Sequence, residues 1–142
     1  MSSGAGEVKN RLGHFRIKTA RPQQFLDITN MVAEAVRQSG VQEGIAVVYV
    51  PHTTAGVTVN ENADPDVVRD ILAALDRTYP VRGDYLHLEG NSHAHIKASL
   101  MGSSCTVIIE GGRLLLGTWQ GIYFCEFDGP RNREFYVKIL PG

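Results

Sequence analysis

Phe15, Ile17 and Thr19 alternate with polar neighbours and predict a first half-buried strand, which Pro22 interrupts. Phe25 to Ile28 reads as a short second strand. Thr29 is placed to cap a helix whose Met31, Val32, Ala35 and Val36 fall at helical spacing, with Gly40 as its stop. Ile45 to Val50 is continuously apolar and rich in β-branched residues, the pattern of a buried central strand, and Pro51 ends its ladder. Val57 and Val59 then alternate with Thr58 and Asn60 in another strand.

Asp64-Pro65 is a strong helix start, aspartate as cap and proline at the first helical position. Val68, Ile71, Leu72, Leu75 and Tyr79 mark one apolar face, and Pro80 halts the helix. Tyr85 to Leu88 reads as a short strand. Ala94 to Met101 reads as a short helix capped by Asn91 or Ser92. The last third is β: Thr106 to Glu110 and Arg113 to Leu116 flank a Gly111-Gly112 hairpin turn. Ile122 to Phe127, a turn at Asp128-Gly129-Pro130, and Glu134 to Leu140 complete it. About eight short strands with two or three covering helices predict an α+β, mainly β chain: a two-layer, jelly-roll-like β-sandwich.

Composition narrows the function classes. A chain of 142 residues holds one domain with a real core, expected over residues 13–142 after a frayed tail at 1–12. A net charge of −1 with scattered basic residues gives no nucleic-acid footprint. No apolar run approaches the ~20 residues that span a bilayer, and Met1 to Asn10 lacks a signal-peptide core. Cys105 and Cys125 lie in apolar runs and read as buried free thiols of a reducing cytoplasm.

Three polar segments interrupt this pattern with groups suited to chemistry. Pro51-His52-Thr53-Thr54-Ala55-Gly56 puts an imidazole and two hydroxyls where a buried strand emerges. Asn60-Glu61-Asn62 adds oxygen ligands beside a helix start, which could reach Mg²⁺. Gly90-Asn91-Ser92-His93-Ala94-His95-Ile96-Lys97 offers helix-start amides, two imidazoles and a cation, an arrangement that favours phosphate. Gly102-Ser103-Ser104 is a second hydroxyl-rich turn, and Trp119, between glycines, is either core or a stacking wall. The candidate catalytic groups are His52, His95 and Glu61. The candidate ligand-binding groups are Thr53, Thr54, Asn60, Asn62, Asn91, Lys97, Ser103, Ser104 and Trp119. His52 and His95 also stand as candidate ligands of a divalent metal, Zn or Mg, although their spacing fits no strong zinc signature. Glu126, alternating with Ile122 and Phe124, needs a partner on its apolar face: Arg131, a histidine or a metal. No serine shows a nucleophile-elbow motif.

These motifs, together with Ala98-Ser99-Leu100 and Gly117-Thr118-Trp119-Gln120-Gly121-Ile122, resemble the YjbQ-like family, also called the secondary thiamine-phosphate synthase family. The resemblance runs from about Phe15 to Ile139 in unbroken motif order. One departure is His93, where members often carry an aspartate. The resemblance implies a β-sandwich subunit assembled as a homotrimer with pockets near subunit contacts. It also implies a weak activity joining a pyrimidine pyrophosphate to a thiazole phosphate, on a chain far shorter than the ~250-residue barrel of dedicated synthases. Its alternative is a non-catalytic trimer that binds an anion or a metal.

Overall fold

The fold is described by a computed structural model over residues 6–142, with side chains from Asn10 onward. Strands β1 (Gly6–Lys9), β2 (Leu12–Lys18), β4 (Glu43–Tyr49), β6 (Ser104–Glu110), β7 (Arg113–Leu114) and β9 (Asn132–Pro141) form a six-stranded sheet ordered β1-β2-β9-β4-β6-β7. Strands β3 (Gln24–Asp27), β5 (Ala55–Glu61) and β8 (Gln120–Glu126) form a three-stranded sheet ordered β3-β8-β5. Every pairing is antiparallel, so the two-layer sandwich expected from the pattern is the fold. Helices α1 (Thr29–Ser39), α2 (Pro65–Thr78) and α3 (Ser92–Met101) complete it.

The alternation rules decide what each face covers. Phe15 and Ile17 of β2, Ala46 and Val48 of β4, Val107 and Ile109 of β6, and Phe135, Val137 and Ile139 of β9 point into the main core. Val57 of β5, Ile122 and Phe124 of β8, and Val32, Ala35 and Val36 of α1 meet them there. The other face of β8 carries Tyr123 and Cys125, which join Phe127 in a second core against Ala94 and Ala98 of α3. Val68, Leu72 and Leu75 of α2 pack on that second core. β8 is therefore covered on both sides, and Gly121 through Glu126 are all buried.

Close approach explains how α3 reaches this sheet. A Cβ on Gly56 of β5 would lie 2.7 Å from the Gly102 carbonyl oxygen and 3.3 Å from that of Ala98. Only glycine lets the strand pass so near the end of α3. The Gly111-Gly112 turn forms as expected, both residues at positive φ (60° and 75°), with Glu110 opposite Arg113.

Several expectations are corrected. Gly6–Lys9 pairs with β2 where the sequence suggested a fraying tail, residues 1–5 lying outside the described residues. Thr29 is the first residue of α1 rather than its cap; its amide and hydroxyl both donate to Asp27 Oδ1, at 2.9 and 2.6 Å. Tyr85 to Leu88 forms no strand but lies in an exposed turn, with Leu86 96% and Leu88 98% accessible. The hairpin's second arm stops at Leu114, two residues short of Leu116. α2 starts at Pro65 with Asp64 Oδ1 accepting from the Asp66 amide at 2.9 Å, yet none of its residues is fully buried.

Among the described residues no helix is long and apolar enough to cross a membrane.

Candidate functional site

Three connections between the sheets meet at one end of the sandwich. The segments 19–23, 50–54 and 127–131 carry β2 to β3, β4 to β5 and β8 to β9, each from one sheet to the other. Backbone bonds tie them: the Thr19 amide donates to Arg131 O at 2.9 Å, Phe127 to Thr54 O at 3.1 Å and Gly129 to Pro22 O at 3.0 Å.

A buried ion pair fixes this junction. Glu126 is fully buried and accepts from Arg133 Nε at 2.8 Å and from its terminal nitrogen at 2.5 Å. The remaining lone pairs take the Thr19 hydroxyl at 2.8 Å and the Asp128 amide at 2.9 Å. Arg133, 7% exposed, also donates to the Thr54 hydroxyl at 2.8 Å. The partner that Glu126 required is thus Arg133, a residue the sequence gave no reason to choose over Arg131. Arg131 instead donates to Asp128 Oδ2 at 2.9 Å and to the Asp128 carbonyl at 2.7 Å.

A polar recess of about 370 Å³ opens over this pair. Pro51, His52, Thr53 and Thr54 wall one side, Glu89, Asn91 and His95 another, with Asp128, Arg131 and Arg133 completing the lining. His52 and His95, 43 positions apart in sequence, therefore face one cavity. Asn91 Nδ2 donates to Asp128 Oδ2 at 3.0 Å, while its Oδ1 is buried without a partner. At the start of α3 the Ala94 and His95 amides donate to the Asn91 carbonyl at 3.0 and 3.3 Å, while the Ser92 and His93 amides precede the first intrahelical acceptor.

The two histidines of the recess are held differently. His52 Nε2 lies 3.0 Å from the Glu134 amide nitrogen and 3.1 Å from the Glu134 carbonyl oxygen, so the backbone of β9 holds the ring in either tautomer. Burial first, and then the Arg133 charge, lower the His52 pKa below its usual value, so the ring is neutral at pH 7. The Glu134 side chain turns the other way and meets His14 Nε2 at 2.5 Å. His95 stands at the outer face of α3 with its ring edge-on to His87, centroids 5.4 Å apart.

Other sequence candidates lie elsewhere. Lys97 is fully buried on the inner face of α3, where Nζ donates to Asp76 Oδ1 at 2.6 Å, Gln23 Oε1 at 2.9 Å and His93 Nδ1 at 3.0 Å. It holds α2 to α3 and is turned away from the recess, so it is removed from the phosphate contacts. His93, 6% exposed, serves this same clamp, its pKa lowered by burial and then by the Lys97 charge. Glu61, Asn60 and Asn62 occupy the far end of β5, about 20 Å from Ala55 at strand rise. There Asn60 Oδ1 accepts from the Glu61 amide at 2.7 Å and Asn62 Nδ2 donates to Asp27 at 3.2 Å. Trp119 is at that end too, 62% exposed, its carbonyl accepting from the Asn62 amide. Ser103 and Ser104 are exposed and line neither cavity described here.

The residues do not fit a divalent metal. Among the described residues no three His, Cys, Asp or Glu side chains converge on one point, and His52 Nε2 is engaged by the Glu134 backbone, 3.0 Å from its nitrogen and 3.1 Å from its oxygen. Cys105 and Cys125 are free thiols as expected; burial pushes Cys105 up to about 11 and Cys125 further.

The UPF0047 protein YjbQ-like family model matches residues 13–142. A UPF0047 protein of Methanocaldococcus jannaschii is 58% identical over 94% of this chain and 96% of its own length. The Bacillus subtilis UPF0047 protein YugU is 52% identical over 88% of this chain and 96% of its own. Among solved structures, an uncharacterized conserved protein of Clostridium acetobutylicum superposes with a TM-score of 0.89 at 66% identity, covering 89% of this chain and 98% of that one. A YbjQ-like protein of unknown function from Sulfolobus solfataricus gives 0.89 at 32% identity, over 97% of this chain and 100% of that one. With its motif order, its sandwich and these relatives in agreement, the chain belongs to the UPF0047 YjbQ-like family.

Proposed function

We propose that the polar recess binds a phosphorylated small molecule and that the protein is an enzyme acting on it. The observation that carries this reading is the convergence of His52 and His95, from separate segments, on one cavity that also holds Arg131 and Arg133. The Arg133 charge is already met by Glu126, so Arg131 alone faces the two carboxylates of the lining, Asp128 and Glu89. An incoming phosphate is therefore bound by drawing the half-exposed Arg131 away from Asp128, with the first amides of α3 adding donors. His95, half-buried at the lining of the recess, is the proposed proton-transfer group; His52 is held by the Glu134 backbone and orients the wall.

The narrower proposal, carried by the family resemblance, is thiamine-phosphate formation from a pyrimidine pyrophosphate and a thiazole phosphate. His95 would then protonate the departing pyrophosphate. The homotrimer is part of the same proposal, supported by exposed apolar side chains at Leu100, Ile108, Leu115 and Trp119. Thiamine-phosphate formation and phosphate-ester turnover are to be assayed in wild type, His52→Ala and His95→Ala. A loss of about a hundredfold or more is expected for His95→Ala. Unchanged rates in both folded variants overturn the catalytic proposal.

A second reading follows from the backbone tether on His52: a non-catalytic site that binds phosphate without turning it over. It predicts a phosphate-dependent rise in melting temperature with no product from any ester tried.

A further inference from the structure

α3 shows two different faces. His93, Ala94, Lys97 and Ala98 point inward and are buried, whereas Ser92, His95 and Ile96 face the 84–87 turn. Between that face and the turn lies a second cavity of about 500 Å³, lined by Asp84, Tyr85, Leu86, His87, Ser92, His95 and Ile96. Its walls are mostly ring and aliphatic carbon. Tyr85 is held in place by its hydroxyl, which donates to Pro80 O at 2.6 Å. The His87 and His95 rings meet at 90°. His95 lines both this cavity and the polar recess, so the two adjoin at one imidazole.

We infer that this apolar cavity is a second subsite and that it takes an aromatic ring whose phosphate occupies the polar recess beside it. The inference rests on the proposed phosphate reading for the second half of the ligand, and it adds a separate site for the ring, against the 84–87 turn, that favours an aryl phosphate over an alkyl one. Perpendicular rings and a tyrosine face favour a flat aromatic group over an alkyl chain. The shared imidazole then sits at the ester linkage between ring and phosphate. The solvent-facing position of the turn leaves the apolar wall accessible to a ligand from outside, with Leu86 96% exposed.

The test is calorimetric titration of the full chain with phenyl phosphate, methyl phosphate, inorganic phosphate and phenol. Phenyl phosphate is expected to bind roughly tenfold or more tighter than methyl phosphate, since ring burial adds apolar contact. Ile96→Ser and Tyr85→Ala, both at positions outside the two cores, are expected to erase that preference while methyl phosphate binding stays the same. Equal affinities of phenyl and methyl phosphate in wild type overturn the aromatic subsite and leave the phosphate reading standing. Phenyl phosphate binding no tighter than phenol, with methyl and inorganic phosphate silent, overturns the phosphate reading instead. A preference that survives Ile96→Ser and Tyr85→Ala in folded protein places the ring elsewhere and overturns the inference. If Leu86→Ser lowers the mass seen by light scattering and leaves every affinity unchanged, the turn serves a second copy of the chain, and the inference fails.

Discussion

His52 is neutral at pH 7 because burial and Arg133 disfavour its charged form. The sign for stability follows from proton counts. Between the depressed folded pKa and the unfolded value of 6.5, the unfolded chain binds more protons. The stabilisation is therefore complete above 6.5 and falls as pH drops from there to the folded value. His93, lowered by burial and facing Lys97, Asp76 and Asp128, acts in the same direction. Urea melts between pH 7.5 and about 5 are expected to show falling stability, with the slope reduced in His52→Gln and His93→Gln. A flat profile in wild type would refute both assignments. Glu126 and Arg133 give a larger effect, since removing one leaves the other as a buried charge. Arg133→Met is expected to cost about 3–5 kcal/mol in a urea melt, and more than an exposed pair such as Asp66–Arg69. At this scale the sequence was informative where a residue's own neighbours decide its role. His52 follows a buried strand and His95 lies in the first turn of a helix, and both line the recess. The partner of Glu126 was not, because Arg133 lies on β9 beyond a turn, and nothing local distinguishes it from Arg131. Lys97 was misplaced for a related reason. Its four-residue spacing from His93 was readable, but which face of α3 turns inward depends on β5 and β8.

α2 has a clean apolar stripe and a proper aspartate cap, and both were legible in the sequence. What the pattern could not reveal is how shallowly that stripe docks. Val68, Leu72 and Leu75 rest on the second core without full burial, so polar contacts carry much of the attachment. The strongest is Lys97 to Asp76, backed by the Gln23 amide, which donates to Asp76 at 2.9 Å. Asp76→Ala removes the only carboxylate that, among the described residues, pairs with the fully buried Lys97 ammonium, leaving it with Gln23 and His93. A destabilisation of about 1–3 kcal/mol is expected from the loss of one charged hydrogen-bond partner. Hydrogen exchange should locate the change: amides of residues 66–78 should exchange faster than those of β4, β8 and β9. Uniform acceleration across the sandwich would show that α2 does not open as a separate unit. The failed strand at Tyr85 to Leu88 belongs to this scale as well. Tyr-Leu-His-Leu alternates in the manner of a half-buried strand, yet no sheet edge comes near enough to pair with it, and both leucines stay in solvent.

Across the whole molecule, β8 joins what would otherwise be two separate hydrophobic bodies. Ile122 and Phe124 enter the core between the sheets, while Tyr123 and Cys125 enter the core under α2 and α3. The apolar run Ile122 to Cys125 was visible in the sequence, but such a run serves either a buried strand between two layers or one strand within a single core. The sheet order that puts β8 centrally, between β3 and β5, comes from long-range pairing that no local pattern encodes. A strand that belongs to both bodies should make them unfold together. Phe124→Ala removes a fully buried ring from the first core at a cost of about 3–5 kcal/mol. Cys125 reports on the second core, because its thiol is fully buried and burial holds its pKa above the ordinary range. In a Cys105→Ser background, labelling of Cys125 by a thiol reagent requires opening of that second core. If the bodies are coupled through β8, Phe124→Ala should speed labelling by roughly 150- to 5,000-fold, the factor that corresponds to its global destabilisation. Labelling that stays at the wild-type rate, while urea melts show the full loss, would mean that the second core holds closed without the first, and the shared strand would then be a seam.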